Sequence, residues 1–262
     1  MAIWARGNVS FFKRLRSNRN AYAMLLFEPM WGIPYNLFIP FFSLYMSALG
    51  CTPEQIGLIS TVGMVCQMLL SLVAAPITDR LGRNRTTMIF DIVSWSVALV
   101  LWYFADSFWF FLIAAVIQSA NRIVHVSWTC LLVEDTDKDL LVRIFSWLTI
   151  AGLISAVFSP AAAGFVKSLT VVPAMRWLLI LSFVLMTAMF VLRTVFTRET
   201  EMGRRRQAES RHEPFFAGVA AVFLSVRDVV RNKKTLLFFA LTAIYNAALV
   251  VKGPFFALLI TD

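Results

Sequence analysis

A succession of long apolar runs constrains this chain more than any other feature. Near 21–49, 54–78, 86–105, 108–133, 144–166, 171–195 and 235–260, each stretch approaches or exceeds the roughly 20 mostly apolar residues that one helix needs to cross a bilayer. Hydrophobic residues fill 59% of the 262 positions, against roughly 45–50% in a soluble domain. Charged residues fill 15%, against roughly 25%. No folded interior hides that much apolar surface, so the solvent must be lipid. A disordered chain, a disulfide scaffold and almost any soluble domain are excluded. The expected fold class is an all-α membrane protein, a polytopic bundle of about seven transmembrane helices.

The charges order these runs. Lys and Arg outnumber Asp and Glu by 24 to 15. In a soluble protein that excess would point to nucleic acid; in a membrane protein it collects in cytoplasmic loops. With the N-terminus inside, the inner segments hold nineteen basic residues and the outer ones two, Lys167 and Arg176. The sequence therefore predicts a multi-pass protein of the cell membrane with a cytoplasmic N-terminus. Residues 1–20 form a basic arm with no cleavable signal, and 21–195 form a six-helix domain. Residues 196–234 form a linker whose amphipathic stretch Pro214–Val230 reads as an interfacial helix. Residues 235–262 form a seventh helix. A lone seventh helix lacks a bundle to complete, so a longer parent protein is expected. Cys51, Cys66 and Cys130 show no metal-binding or redox spacing; Cys66 and Cys130, inside apolar runs, read as small buried hydrophobes.

After the second run comes Ala75-Pro76-Ile77-Thr78-Asp79-Arg80-Leu81-Gly82-Arg83-Asn84-Arg85. Gly82 permits a tight turn between helix ends, and the Arg83 guanidinium suits a bidentate bond to a carboxylate. Glu134 and Asp135 end the fourth run on the same side. This segment resembles the loop signature of the major facilitator superfamily, G-x-x-x-D-R-x-G-R-[KR]-[KR]. Asp79, Arg80, Gly82, Arg83 and Arg85 match, Ala75 stands for the leading Gly, and Asn84 departs from a basic position. Six helices, a long basic loop and a restart also resemble that family, over about half the usual length of a member. The resemblance implies a six-helix amino-terminal domain followed by the first helix of a second domain. It also implies a gating latch of Asp79, Arg83 and Glu134 or Asp135; the alternative is ordinary positive-inside charge.

Charge inside the bilayer suggests function, because it is costly there. Arg122 lies about 16 Å from the inner end of its run, too deep to snorkel easily to either surface. Gln118, Arg122, His125 and Thr129 recur at helical spacing, with Asn121 beside them, and should face a water-filled cavity. Arg122 also partly matches the family's helix-four motif. Glu28 on the first run would meet Arg122 in that cavity, where the resemblance places helices one, four and seven; it could instead sit at the interface. Tyr35, Asn36, Tyr245 and Asn246 are further cavity candidates. Pro29, Pro34 and Pro40 should kink or break the first helix. Asp91, near the inner surface, is expected in the loop charge network, with the substrate site as the alternative. Gly152, Ala156, Pro160 and Gly164 form a small-residue stripe that favours close helix packing. With Ser159, it loosely resembles the family's antiporter motif.

No nucleotide loop, catalytic triad or metal constellation is legible, so neither an enzyme nor a cofactor is expected. The resemblance implies a secondary transporter of a small solute by alternating access, monomeric at full length. Two mechanisms compete: proton-coupled efflux through Glu28, and uptake or exchange of an anion held by Arg122 and His125. A seven-helix photoreceptor with retinal on Lys252 conflicts with the charge topology and with Ala248, where an acid is needed. A membrane scaffold conflicts with the buried charge.

Overall fold

The computed structural model describes residues 11–211, 213–231, 233 and 235–245, and these contain helices and turns with no strand. Helix α1 covers Arg19–Phe38; a 3-10 turn at Ile39–Phe41 joins it to α2, Phe42–Ala48. Then follow α3 (Pro53–Leu81), α4 (Arg83–Phe104), α5 (Phe108–Val133), α6 (Lys138–Leu169) and α7 (Val171–Phe196). These last five are long and apolar enough to cross a membrane. The linker adds α8 (Glu201–Ser210) and α9 (Phe215–Arg231). Helix α9 falls where an interfacial helix was expected, whereas α8, rich in Arg and Glu, was not foreseen. A further helical piece covers 235–245, and the rest of the expected seventh helix lies outside the described residues.

Local chemistry explains most boundaries. Thr52 caps α3 in a reciprocal capping box with Gln55, and Pro53 occupies the first turn, where its missing N–H costs nothing. Gly82 ends α3 at φ 85°, a conformation that disfavours any side chain. Helix α1 runs through Pro29 and Pro34, and its character changes only at Pro40. Helix α6 is interrupted at Val157–Phe158. Pro160 explains the place: it lacks the N–H that Ala156 would use, and its ring crowds that carbonyl.

Two helices depart from the regular form expected of them. Helix α4 contains a π-helical turn at Ile92–Val97, just after Asp91. Helix α5 tightens at Ser119–Ala120, where Arg122 and Ile123 N–H groups bond three residues back, to Ser119 and Ala120. The depth argument for Arg122 assumed one unbroken helix; the tight turn changes the register between Gln118 and the residues after it.

Helix α1 packs between α7 and α6, α4 packs on α5 and α7, and α3 packs on α5. Aromatic side chains dominate the main core, with Phe38, Tyr45, Trp95, Trp102, Phe111 and Phe190 buried. A smaller core, including Phe11, Leu15, Leu132 and Ile144, closes the end that carries the basic loops. Helices α3 and α6 are the least covered of the five. Their exposed Leu58, Met68, Leu69, Leu153 and Ile154 would be misplaced in water but suit an apolar solvent.

Candidate functional site

Four helices bring polar groups to one level inside the bundle. Glu28 lies nine residues into α1 and Asp91 eight residues into α4, while His125 lies eight residues before the end of α5. At 1.5 Å per residue these depths are about 12–14 Å from the basic end. Arg193, near the end of α7, extends its long side chain toward them. The guanidinium donates through Nη2 to Asp91 Oδ2, and both side chains are buried. Glu28, Asp91, Arg193 and His125 line a cavity of about 200 Å³, walled by Trp31, Trp95 and Trp128 among others. Trp95 Nε1 donates to Asn121 Oδ1 at 3.3 Å, which fixes one wall. Trp31 stacks on Tyr35 at 4.8 Å and meets Trp95 edge-on at 5.6 Å, which fixes another.

This constellation differs from the expected one. Glu28 has Arg193 and Asp91 as its charged neighbours, and Arg122 does not line the cavity. Arg122 is exposed and takes part in no ion pair among the described residues. Asp91 pairs with Arg193 and not with the loop charges. Gln118 and Tyr35 line a second cavity of about 190 Å³. The Gln118–Thr129 stripe therefore divides at the Ser119–Ala120 turn, and Thr129 Oγ1 returns to its own helix at the His125 carbonyl. Asn36 likewise donates to the Gly32 carbonyl of α1. Tyr245 is 65% exposed, and Asn246 lies outside the described residues.

At the basic end the loop signature forms a charge network. Arg83 Nη1 contacts Asp79 Oδ1 at 2.8 Å, and its Nη2 and Nε donate to Glu134 Oε1 at 3.0 and 3.1 Å. The fork holds α3, α4 and the end of α5 together. Asp135 stays outside it. The Asp135 carbonyl accepts from Asn18 Nδ2 at 2.9 Å. Burial pushes its carboxyl above the ordinary aspartate value, opposed by a backbone N–H from Glu201. Arg80 donates to the Glu213 carbonyl at 2.5 Å and lies over the Phe215 ring at 5.3 Å. Arg85 is exposed and Ala75 partly buried.

Sequence reasoning missed the linker's part in this network. Glu199 accepts from the Arg83 and Asn84 backbone N–H groups at 2.9 and 3.0 Å, capping the start of α4. Thr200 Oγ1 donates to Glu134 Oε2, and Gln207 and Ser210 donate to the Arg80 and Asp79 carbonyls. Gly203 is packed so closely that an added Cβ would lie 2.0 Å from Glu199 Oε1 and 2.8 Å from Arg83 Cδ. A glycine inside a charged helical stretch was the available signal.

The α6 stripe also behaves differently from expectation. Gly152, Pro160 and Gly164 are exposed and Ser159 partly so, and a Cβ on Gly152 or Gly164 would meet nothing within 4 Å. The close approach uses the other side of α6, where a Cβ on Gly32 would lie 2.7 Å from Ser155 Oγ. Of the cysteines, Cys51 is buried, and Cys66 and Cys130 are partly so. Among the described residues no group of three or more His, Cys, Asp and Glu could hold a metal.

Comparison with known proteins adds independent findings. The sequence model of the Major Facilitator Superfamily matches residues 30–261. The chain is also similar to a protein of Escherichia coli (strain K12) named "Probable 3-phenylpropionic acid transporter", with 34% identity over 76 residues. That match covers 26% of this chain and 20% of the relative, so the chain spans about a fifth of that protein's length.

Proposed function

Because this chain belongs to the Major Facilitator Superfamily, we propose that it carries a small solute across a membrane by alternating access, with the Glu28 cavity taking part in proton coupling. The carrying observation is the convergence of Glu28, the Asp91–Arg193 pair and His125 on one aromatic cavity inside the bundle. Uncompensated charge is costly at such depth, so a carboxylate without an ion-pair partner there is suited to bind and release a proton. Arg193 engages Asp91, which leaves Glu28 as the carboxyl able to change state as solute enters. The basic end faces the cytoplasm on this reading, since basic loops collect on that side. The Asp79–Arg83–Glu134 network then latches the cytoplasmic ends of α3, α4 and α5 together. The solute's second wall comes from the other half of the transporter.

The test uses the full-length transporter in sealed vesicles with an imposed pH gradient and a fluorescent aromatic dye. Glu28→Gln is expected to reduce gradient-driven accumulation at least ten-fold, to the passive level, while dye binding remains. Gradient-driven accumulation at the wild-type level in Glu28→Gln would sink the coupling role.

A second reading, uptake or exchange of an aromatic carboxylate, is favoured by the relative's printed name and by the tryptophans of the cavity. Here His125, which lines the cavity, supplies the anion contact in place of the Arg122 expected from the sequence, and the rings stack on the solute. His125→Ala should weaken 3-phenylpropionate binding by about ten-fold or more, as expected for a hydrogen bond to a carboxylate worth about 1.5–3 kcal/mol, and leave binding of the neutral amide analogue unchanged. Equal binding of the acid by wild type and variant rejects this reading.

A further inference from the structure

Helix α9 has two apolar faces, and the bundle uses only one. Phe215, Gly218, Val219 and Val222 fall on one side of the helix. Gly218 sits against α3: a Cβ there would lie 3.3 Å from Pro76 Cβ. On the adjoining side Phe216 is 81% exposed, Phe223 54% and Leu224 58%, with Ala220 between them. Positions 216, 220, 223 and 224 follow the spacing of one helix face. The surface they make is continuous and unsuited to water.

Its location indicates what covers it. Pro76 is five residues before the end of α3, which puts the α9 contact about 8 Å inside that end of a membrane-spanning helix. If that end of α3 lies at the membrane surface, the contact falls near the boundary between headgroups and acyl chains. Basic residues bracket the apolar face: Arg211 before the helix, Arg231 at its last position and Lys233 after it, all exposed. Arg211, Arg231 and Lys233 take part in no ion pair among the described residues. Exposed aromatic side chains at that depth, flanked by free positive charge, complement a leaflet that carries anionic lipid.

We propose that α9 lies in the membrane surface at the basic end, with Phe216, Phe223 and Leu224 among the acyl chains and Arg211, Arg231 and Lys233 on anionic headgroups. The helix is thereby a lipid-anchored strap on the signature loop. It is tied to that loop through Arg80, which meets the Glu213 carbonyl and the Phe215 ring. The proposal requires membrane insertion of the bundle but no particular solute or coupling ion, so a transport-inactive Glu28→Gln protein should show it equally.

The test places spin labels at Phe216→Cys, Ala220→Cys and Phe223→Cys, one at a time. The background is a full-length protein with Cys51, Cys66 and Cys130 replaced and an unchanged melting temperature. The protein is reconstituted in phosphatidylcholine vesicles with and without 30% phosphatidylglycerol. Collision with oxygen is expected to exceed collision with a water-soluble nickel chelate several-fold at all three sites. The implied depth is about 5–10 Å below the phosphates. Phosphatidylglycerol should increase the depth, and Arg211→Gln with Arg231→Gln should remove that increase. Three results each overturn the proposal: free access of the nickel chelate, which places the face in water; poor access of both reagents, which places it against protein; or a depth indifferent to lipid charge.

Discussion

Arg193→Leu is expected to destabilise the protein by about 3–5 kcal/mol, because it strands a buried Asp91 without its partner. The loss should appear as a lower melting temperature and poor recovery from detergent extraction. Asp91→Leu combined with Arg193→Leu should recover most of it, since the cost of breaking a buried pair exceeds the pair's net worth. Recovery separates two roles. If the double variant is stable yet transports nothing, the pair contributes to the cavity's chemistry; if it is stable and active, the pair serves only to join α4 to α7. A single Arg193→Leu variant as stable as wild type would contradict the buried-pair geometry.

Gly203→Val should release the linker from the signature loop. The new side chain would collide with Glu199, Thr200 and Arg83, and the first two atoms belong to the linker's own cap. Overpacking of this kind typically costs about 1–3 kcal/mol. Here it also disturbs the Glu199 bonds at the start of α4 and the Thr200 bond to Glu134. Trypsin cleavage at Arg204, Arg205 and Arg206 should therefore accelerate at least ten-fold. Gly152→Val, also on a helix but in open space, should change neither cleavage nor melting by a comparable amount. Equal cleavage rates in the two variants would argue against a docked linker.

The contrast between these sites shows what the sequence could convey. Helix positions were legible because a bilayer imposes length and hydropathy on each run separately. The Arg83 network was legible because its motif is local and Glu134 ends a neighbouring run. The Asp91–Arg193 pair was not, since it joins residues 102 apart. Nearness to the loop in sequence favoured the wrong partner for Asp91. Depth along a helix locates a charge vertically but leaves its azimuth open, which also explains why Glu28 was expected either beside Arg122 or at the interface and not beside Arg193. The Ser119–Ala120 turn and the π-helical turn after Asp91 decide that azimuth, and neither residue pattern announces a break through Gly or Pro. The Gly152–Gly164 spacing, by contrast, was visible but equally compatible with a packed or an open face.

The separation of Asp91 from Arg193 also bears on how the protein is made. Membrane proteins are synthesised and inserted from the N-terminus onward, so α4 enters the bilayer before α7 exists. With 102 residues between the partners and synthesis at about 5–20 residues per second, Asp91 waits on the order of 5–20 s for its guanidinium. Through that interval its carboxyl lacks the partner that offsets its burial, a cost of about 2.5–3.5 kcal/mol for an aspartate deep in an inserting helix. The arrival of α7 then locks an already threaded bundle, which makes the order of synthesis itself part of the assembly of this fold.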